Sequence, residues 1–429
     1  MAAVESRPRA DLVIADAAQL LTCSGDAPYD LGLLERGCVA IAGETIAAVG
    51  SRAEVEAAID CSGAEVFDAS GCVVAPGFVD SHTHLVFGGS RVEEYAAKMT
   101  ESDPEALRRM GIKTGVSATV ARTRAASLEE LVVEASDRIR RMVRAGTTTV
   151  ESKSGYGLST AAELKLLRVN RALAEETPID VLSTFLGAHG FPPDVPREIY
   201  LRSVIEEMTP LVAEEGLAEF ADVWCDDGYY TAGESRQILD AAGAAGMGAK
   251  IHADAYSYVG GSDLAAEMRM ASIDHLNYTP RTVMARLAES GVVGVVMPAL
   301  DFAVGHARPF DARAMIDEGM TLALATDLCP GCWAESQQFV MALACRLYRM
   351  SPAEALWAAT RGGALALRLH ADRGALEVGK LADVQVWDVP RYEHAIYRLG
   401  GNVVSRVIKR GKVVVERHDG EADREWTGE

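Results

Sequence analysis

Long apolar runs are missing from the 429 residues. Although 49% are hydrophobic, no stretch reaches the roughly 18 residues that a membrane span needs. Positive charge is also short. The 42 Lys and Arg stand against 62 Asp and Glu, a formal −20, and such a surface repels phosphate, which argues against nucleic acid as a partner. An anionic substrate therefore needs a local cation to overcome the general field. The 8 cysteines are scattered without regular spacing, so no disulfide framework is expected and the thiols should be reduced. The opening MAAVESRPRADLVIADAAQL has no basic-then-apolar layout, which predicts no secretion and a cytoplasmic location. No repeat with a period of roughly 20–50 residues competes with a globular reading.

What is present changes character twice along the chain. ADLVIADAAQLLT, GCVAIAGETIAAVG and AEVFDASGCVVAPG alternate apolar residues with Gly and Asp, the pattern of antiparallel strands. KLADVQVWDVP and NVVSRVIKRGKVVVERH repeat that style near the other end, so one β-layer built from both termini is predicted, with the polar HDGEADREWTGE frayed beyond it. Between them, short strands alternate with amphipathic helical stretches: CVVAPGFVDSHTH, TTTVESKSG, DVLSTFLGAH, FADVWCDDG, GAKIHADA, SIDHLNY, GVVGVVMPAL and TLALATDLCPG. Eight such alternations predict a (β/α)8 barrel of the α/β class over 76–370, with a small β-sandwich from 1–75 and 371–429. Polar residues gather at the strand C-terminal ends: His82, His84, Glu151, His189, Asp226, His252, His275 and Asp327. Those ends share one mouth in a barrel, where active sites sit.

His82 and His84 lie two apart on a strand, so both rings can face one ion. His252 adds a third nitrogen and Asp327 a carboxylate, a set suited to one Zn²⁺ or Fe²⁺ with room for water. His275 fits either a fourth nitrogen ligand or a group that steers the water, and the second role is preferred. No lysine stands on FADVWCDDG to bridge two metals, which favours a single ion. A cation so held lowers the pKa of water toward neutrality and supplies hydroxide. Cys329 and Cys332, three apart in TDLCPGCW, lack the two further ligands a structural zinc site needs and are read as pocket residues. Tyr156 between two glycines packs too little to be core and reads as part of a mobile pocket loop.

PGFVDSHTHLVFGGSR, ESKSGYGLST, FLGAH, KIHAD, DHL and TDLCPG together resemble the imidazolonepropionase-like branch of the metal-dependent amidohydrolase superfamily. The resemblance runs through nearly the whole chain. HTH is shared across the superfamily, whereas SKSGYG and GGSR are specific to this branch. It implies a hydrolase acting on a carbon–nitrogen bond of a cyclic amide or amidine, histidine breakdown as the setting, and a homodimer. It implies that His82, His84, His252 and Asp327 hold the metal, with Asp327 also moving the proton and His275 assisting. Arg91, Tyr156 and His189 would line the pocket, Arg91 as a planar fork for a carboxylate.

The chain departs from that pattern at the ring end of the pocket. Ala255 stands where the family has Glu in HADE, and Cys329 and Cys332 replace an Asn and a hydroxyl residue. GIKTGVSATV stands where a glycine run is usual. Ala255, Cys329, Gly331 and Cys332 are therefore expected around the ring, leaving more space and less polarity. A ring with an N-methyl, thio or S-methylthio substituent is the refined expectation. Ring closure, deamination and a non-catalytic binder are the alternatives.

Overall fold

The computed structural model describes residues 7–25, 27–101, 103–112, 114–417 and 424–425. Eight parallel strands follow one another in a single sheet: β1 (Phe78–Asp80), β2 (Thr147–Lys153), β3 (Asp180–Ala188), β4 (Phe220–Cys225), β5 (Gly248–Ala253), β6 (Ser272–His275), β7 (Val293–Val296) and β8 (Leu322–Leu324). Each pairs with its sequence neighbours, from β8 through to β1. Strands covered on both faces read as apolar runs, and VGVV of β7 is buried throughout. The ring is drawn shut beyond the ends of β1 and β8. Thr83 pairs with Leu328, the His84 N–H donates to the Leu328 carbonyl at 2.8 Å, and the Asp327 N–H donates to that of His82 at 3.1 Å.

Helices between the strands carry their own start signals. Thr231 caps Ala232–Ala244, its hydroxyl accepting from the Glu234 N–H while the Glu234 carboxylate returns to the cap. Among the described residues no helix is long and apolar enough to cross a membrane.

The terminal segments form two more sheets, as the alternating patterns predict. One holds Thr45–Ser51, Gly37–Ala42, Leu12–Ala17 and Glu65–Asp68 in that order. The other combines Gln19–Leu21 and Val73–Pro76 with Val384–Trp387, Val404–Lys409 and Lys412–Glu416. Ile14, Ile41, Val74, Val384 and Ile408 share one buried core. Most of the polar tail expected to fray lies outside the described residues, but Arg424–Glu425 pairs with Val415 and Glu416.

Compactness divides the chain into Met1–Ser81 with Arg141–Thr149 and Ser336–Glu429, and His82–Arg140 with Val150–Glu335. So β1 and the helices after Ser336 group with the terminal sheets, whereas boundaries at 75 and 370 would leave them with the barrel helices. Within that first unit, β1 packs closely on the helix Gly363–Ala366. A Cβ on Gly363 would lie 2.2 Å from the Val79 carbonyl oxygen, an approach that only glycine permits. Gly363→Ala is expected to lower unfolding free energy by about 1–3 kcal/mol, read from the denaturant midpoint at unchanged slope.

Candidate active site

Strand register brings the histidines together. Trp224 lies opposite His252, and His252 opposite Asp274, across β4, β5 and β6. The His82 Nδ1 hydrogen-bonds Asp274 Oδ2 at 2.6 Å, and the His252 Nδ1 hydrogen-bonds Asp222 Oδ2 at 2.9 Å. A carboxylate on Nδ1 keeps the proton there and leaves Nε2 as the lone-pair donor. Both Nε2 atoms are buried and have no hydrogen-bond partner among the described residues. Asp327 Oδ1 lies 3.7 Å from His82 Nε2 and 3.9 Å from His84 Nε2.

Sets of donor atoms lie within 4.8 Å of one another in His82, His252 and His275, in His82, His84 and Asp327, and in His84, His189 and His252. These overlapping sets take in all four expected ligands, together with His275 and the pocket residue His189. Burial pushes the His82, His84 and His252 rings well below the ordinary imidazole range, and takes His189 and His275 down to about 4. Neutral nitrogens beside one carboxylate fit a divalent cation such as Zn²⁺ or Fe²⁺. No cysteine joins a metal-competent group among the described residues.

Below the rings lies a charge cluster that sequence reasoning missed. The Lys153 ammonium, fully buried, lies 2.8 Å from Asp222, 2.9 Å from Glu151 and 3.3 Å from Asp274. Lys250 reaches Glu151 at 2.7 Å. Burial would strip the Lys153 proton, but Asp222 and Glu151 override it and raise the pKa above the ordinary lysine value. Glu151, expected at the mouth, is therefore corrected to a partner of this cluster. The signal was present in the period-2 rule: Glu151 and Lys153, Asp222 and Trp224, and Lys250 and His252 are same-face pairs. Asp226 is likewise corrected. It accepts from the Tyr256 N–H at 2.8 Å and its own loop's Asp227 N–H at 2.9 Å, fixing loops and standing outside the ligand set.

The site opens into a cavity of about 550 Å³ lined by His84, His189, His252, His275 and Asp327, with Arg91, Tyr156, Cys329 and Gly331. The Arg91 fork is not free. It spends two donors on Glu94, both at 2.6 Å, and Lys98 reaches the same carboxylate at 2.6 Å. The outer Arg91 nitrogen remains toward Gly331, 3.5 Å from where a Cβ would stand.

Tyr156 sits on a pinned loop, which corrects the mobile one expected. The buried Glu163 carboxylate accepts from the N–H groups of Gly155, Gly157 and Leu158 at 2.7–2.8 Å. The Tyr156 ring stands edge-on to His189 at 5.2 Å and 90°. Two further expectations need correction, because neither Ala255 nor Cys332 lines the cavity. The Ala255 carbonyl accepts from His306 Nε2 at 2.9 Å, and the Cys332 thiol turns back to the Thr326 carbonyl at 3.8 Å. Burial raises the Cys329 thiol far above its ordinary range, so it acts as a neutral wall group.

The profile of the amidohydrolase family matches residues 73–414. The chain is 43% identical to the imidazolonepropionase of Symbiobacterium thermophilum, across 95% of this chain and 97% of that protein. It is 40% identical to that of Alkaliphilus metalliredigens, across 95% and 98%. Among solved structures, a zinc-bound adenosine deaminase from Xanthomonas campestris superposes with a TM-score of 0.72 at 19% identity, covering 95% of this chain and 93% of that one. An atrazine chlorohydrolase from Arthrobacter aurescens gives 0.65 at 19%, covering 94% and 95%. At such identity these two show the fold alone.

Two outcomes follow from this geometry. Asp274→Asn removes the negative charge that holds the His82 Nδ1 proton, leaving a neutral amide in its place, and should weaken metal binding by about 10–100-fold, seen as lost metal after dialysis against graded chelator. Burial alone would raise the Glu94 carboxyl, but Arg91 and Lys98 override it and hold it down at about 2. Its folded value lies below the unfolded one, so its contribution is full above the ordinary carboxylate range and fades as pH falls toward about 2. The stability gap between wild type and Glu94→Gln should therefore close on acidification, measured by denaturant titration across pH.

Proposed function

The chain belongs to the amidohydrolase family as an imidazolonepropionase-like member, and on that premise we propose that it opens an imidazolone ring bearing a propionate arm. It is a hydrolytic enzyme acting on carbon–nitrogen bonds. The observation that carries the substrate reading is the meeting, on the lining of one cavity, of the orphaned buried His252 Nε2 with the Asp327 carboxylate and a basic pair, Arg91 and Lys98.

His82, His84, His252 and Asp327 would hold one divalent cation, Zn²⁺ or Fe²⁺, whose chemistry is to polarise a ring carbonyl and activate water at neutral pH. Asp327 takes a proton from the attacking water and returns it to the ring nitrogen as the carbon–nitrogen bond breaks. His275, neutral and 5.1 Å from His252 between ring centroids, orients that water. At the arm, Arg91 and Lys98 against Glu94 leave one net positive charge for a carboxylate, and Tyr156 adds a neutral donor.

The ring itself differs from plain imidazolone. Cys329 gives the cavity wall a small polarizable group, and Ala255, standing outside the lining, adds no carboxylate to it. An N-methyl, thio or S-methylthio ring fits these changes.

Purified protein would be incubated with imidazolone propionate and with its 2-methylthio analogue, following ring absorbance and product mass. Ring opening of both, faster for the substituted ring and abolished by chelation, is the expected result. Intact rings in both reactions with metal-loaded protein would refute the proposal.

A further inference from the structure

Two pairs of stacked rings contribute three side chains to the cavity lining. Trp224 and Tyr229 lie face to face, their centroids 3.6 Å apart at 17°, and Tyr256 lies on His306 at 5.1 Å and 26°. Trp224, Tyr229 and Tyr256 all line the cavity, and the Trp224 ring is 5.2 Å from that of His189. Stacked aromatics usually belong to a core. Here Tyr256 is 52% exposed, so packing does not consume its ring.

One carboxylate ties the two pairs together. Asp226, just past β4, accepts from the Tyr256 N–H at 2.8 Å and from the Ser257 hydroxyl. Ser257 Oγ accepts in turn from the Asp227 N–H at 2.9 Å, and the Asp226 carbonyl takes the Tyr229 N–H at 3.0 Å. The loop that carries Tyr229 and the loop that carries Tyr256 are thus one hydrogen-bonded body. His306 fixes the second loop again through the Ala255 carbonyl at 2.9 Å. Such rigidity is what a recognition surface needs and a mere filler does not.

We propose that Tyr229 and Tyr256 determine specificity, forming with Trp224 a π-rich wall that takes a thio or methylthio group on the substrate ring. The assignment rests on the imidazolone-type reading above and narrows it to sulfur. An N-methyl group would gain only area, whereas sulfur against aromatic rings gains a directional contact as well. Cys329 and Met99, in the same cavity lining, extend the polarizable surface. Asp226 is a positioning residue, acting through both loops.

The test uses metal-loaded protein and two rings that lack the reactive carbonyl, imidazole-4-propionate and its 2-methylthio derivative, with affinities measured by calorimetry. Wild type should prefer the methylthio ring by about tenfold. Tyr229→Ala and Tyr256→Ala should each cut that ratio by about fivefold, while Tyr256→Phe keeps it. Tyr256→Leu, which keeps bulk and removes the π face, should lower the ratio in the same way and replaces the alanine variant if that one folds poorly. A wild-type ratio near one, or variants that weaken both rings alike, would overturn the wall. Failure of both rings to bind wild type at all would instead sink the imidazolone-type reading.

Discussion

The Lys153 ammonium holds the site together. It sits among Asp222, Glu151 and Asp274 with no exposure, and two of those carboxylates orient His252 and His82. Carboxylates buried without a cation would take up protons. A protonated acid could no longer fix its imidazole proton on Nδ1, and the inward nitrogen would lose its lone pair. Lys153 and Lys250 leave the three acids one net negative charge. Ion burial of this kind is a poor source of stability, and what it secures here is the direction of two rings.

The same segment that shuts the barrel carries the chemistry. Thr83 pairs with Leu328, and their neighbours His82, His84 and Asp327 are expected ligands. Asp327 has φ of 46°, and His275 and Leu276 have φ of 90° and 65°, each in the region that side chains avoid. Such strain costs on the order of 1–3 kcal/mol per residue and persists only where the surroundings impose it. Here the closing hydrogen bonds and the buried carboxylates impose it.

Much of this is legible in the order of residues alone. Strand-end residues stand out because a parallel barrel puts every strand end at one mouth, and His82, His84, His252, His275 and Asp327 do meet. Depth along the barrel axis is harder. Glu151 ends no strand, and its partner Lys250 lies on another strand, a contact that only ring closure creates. Arg91 reads as a free fork because its captor, Glu94, is three residues on along a helix, where a pair usually passes as surface decoration. The Tyr156 loop looks mobile because glycines surround it. Its anchor is Glu163 at the start of the next helix, with three backbone donors to satisfy.

Glu94 has one more effect, on the arm of the ligand. A receptor that already grips an anion of its own must share its donors with any visitor, so a bound carboxylate never enjoys the full pull of two cations. The same grip holds the guanidinium in one plane, so its remaining nitrogen is aimed before any visitor comes.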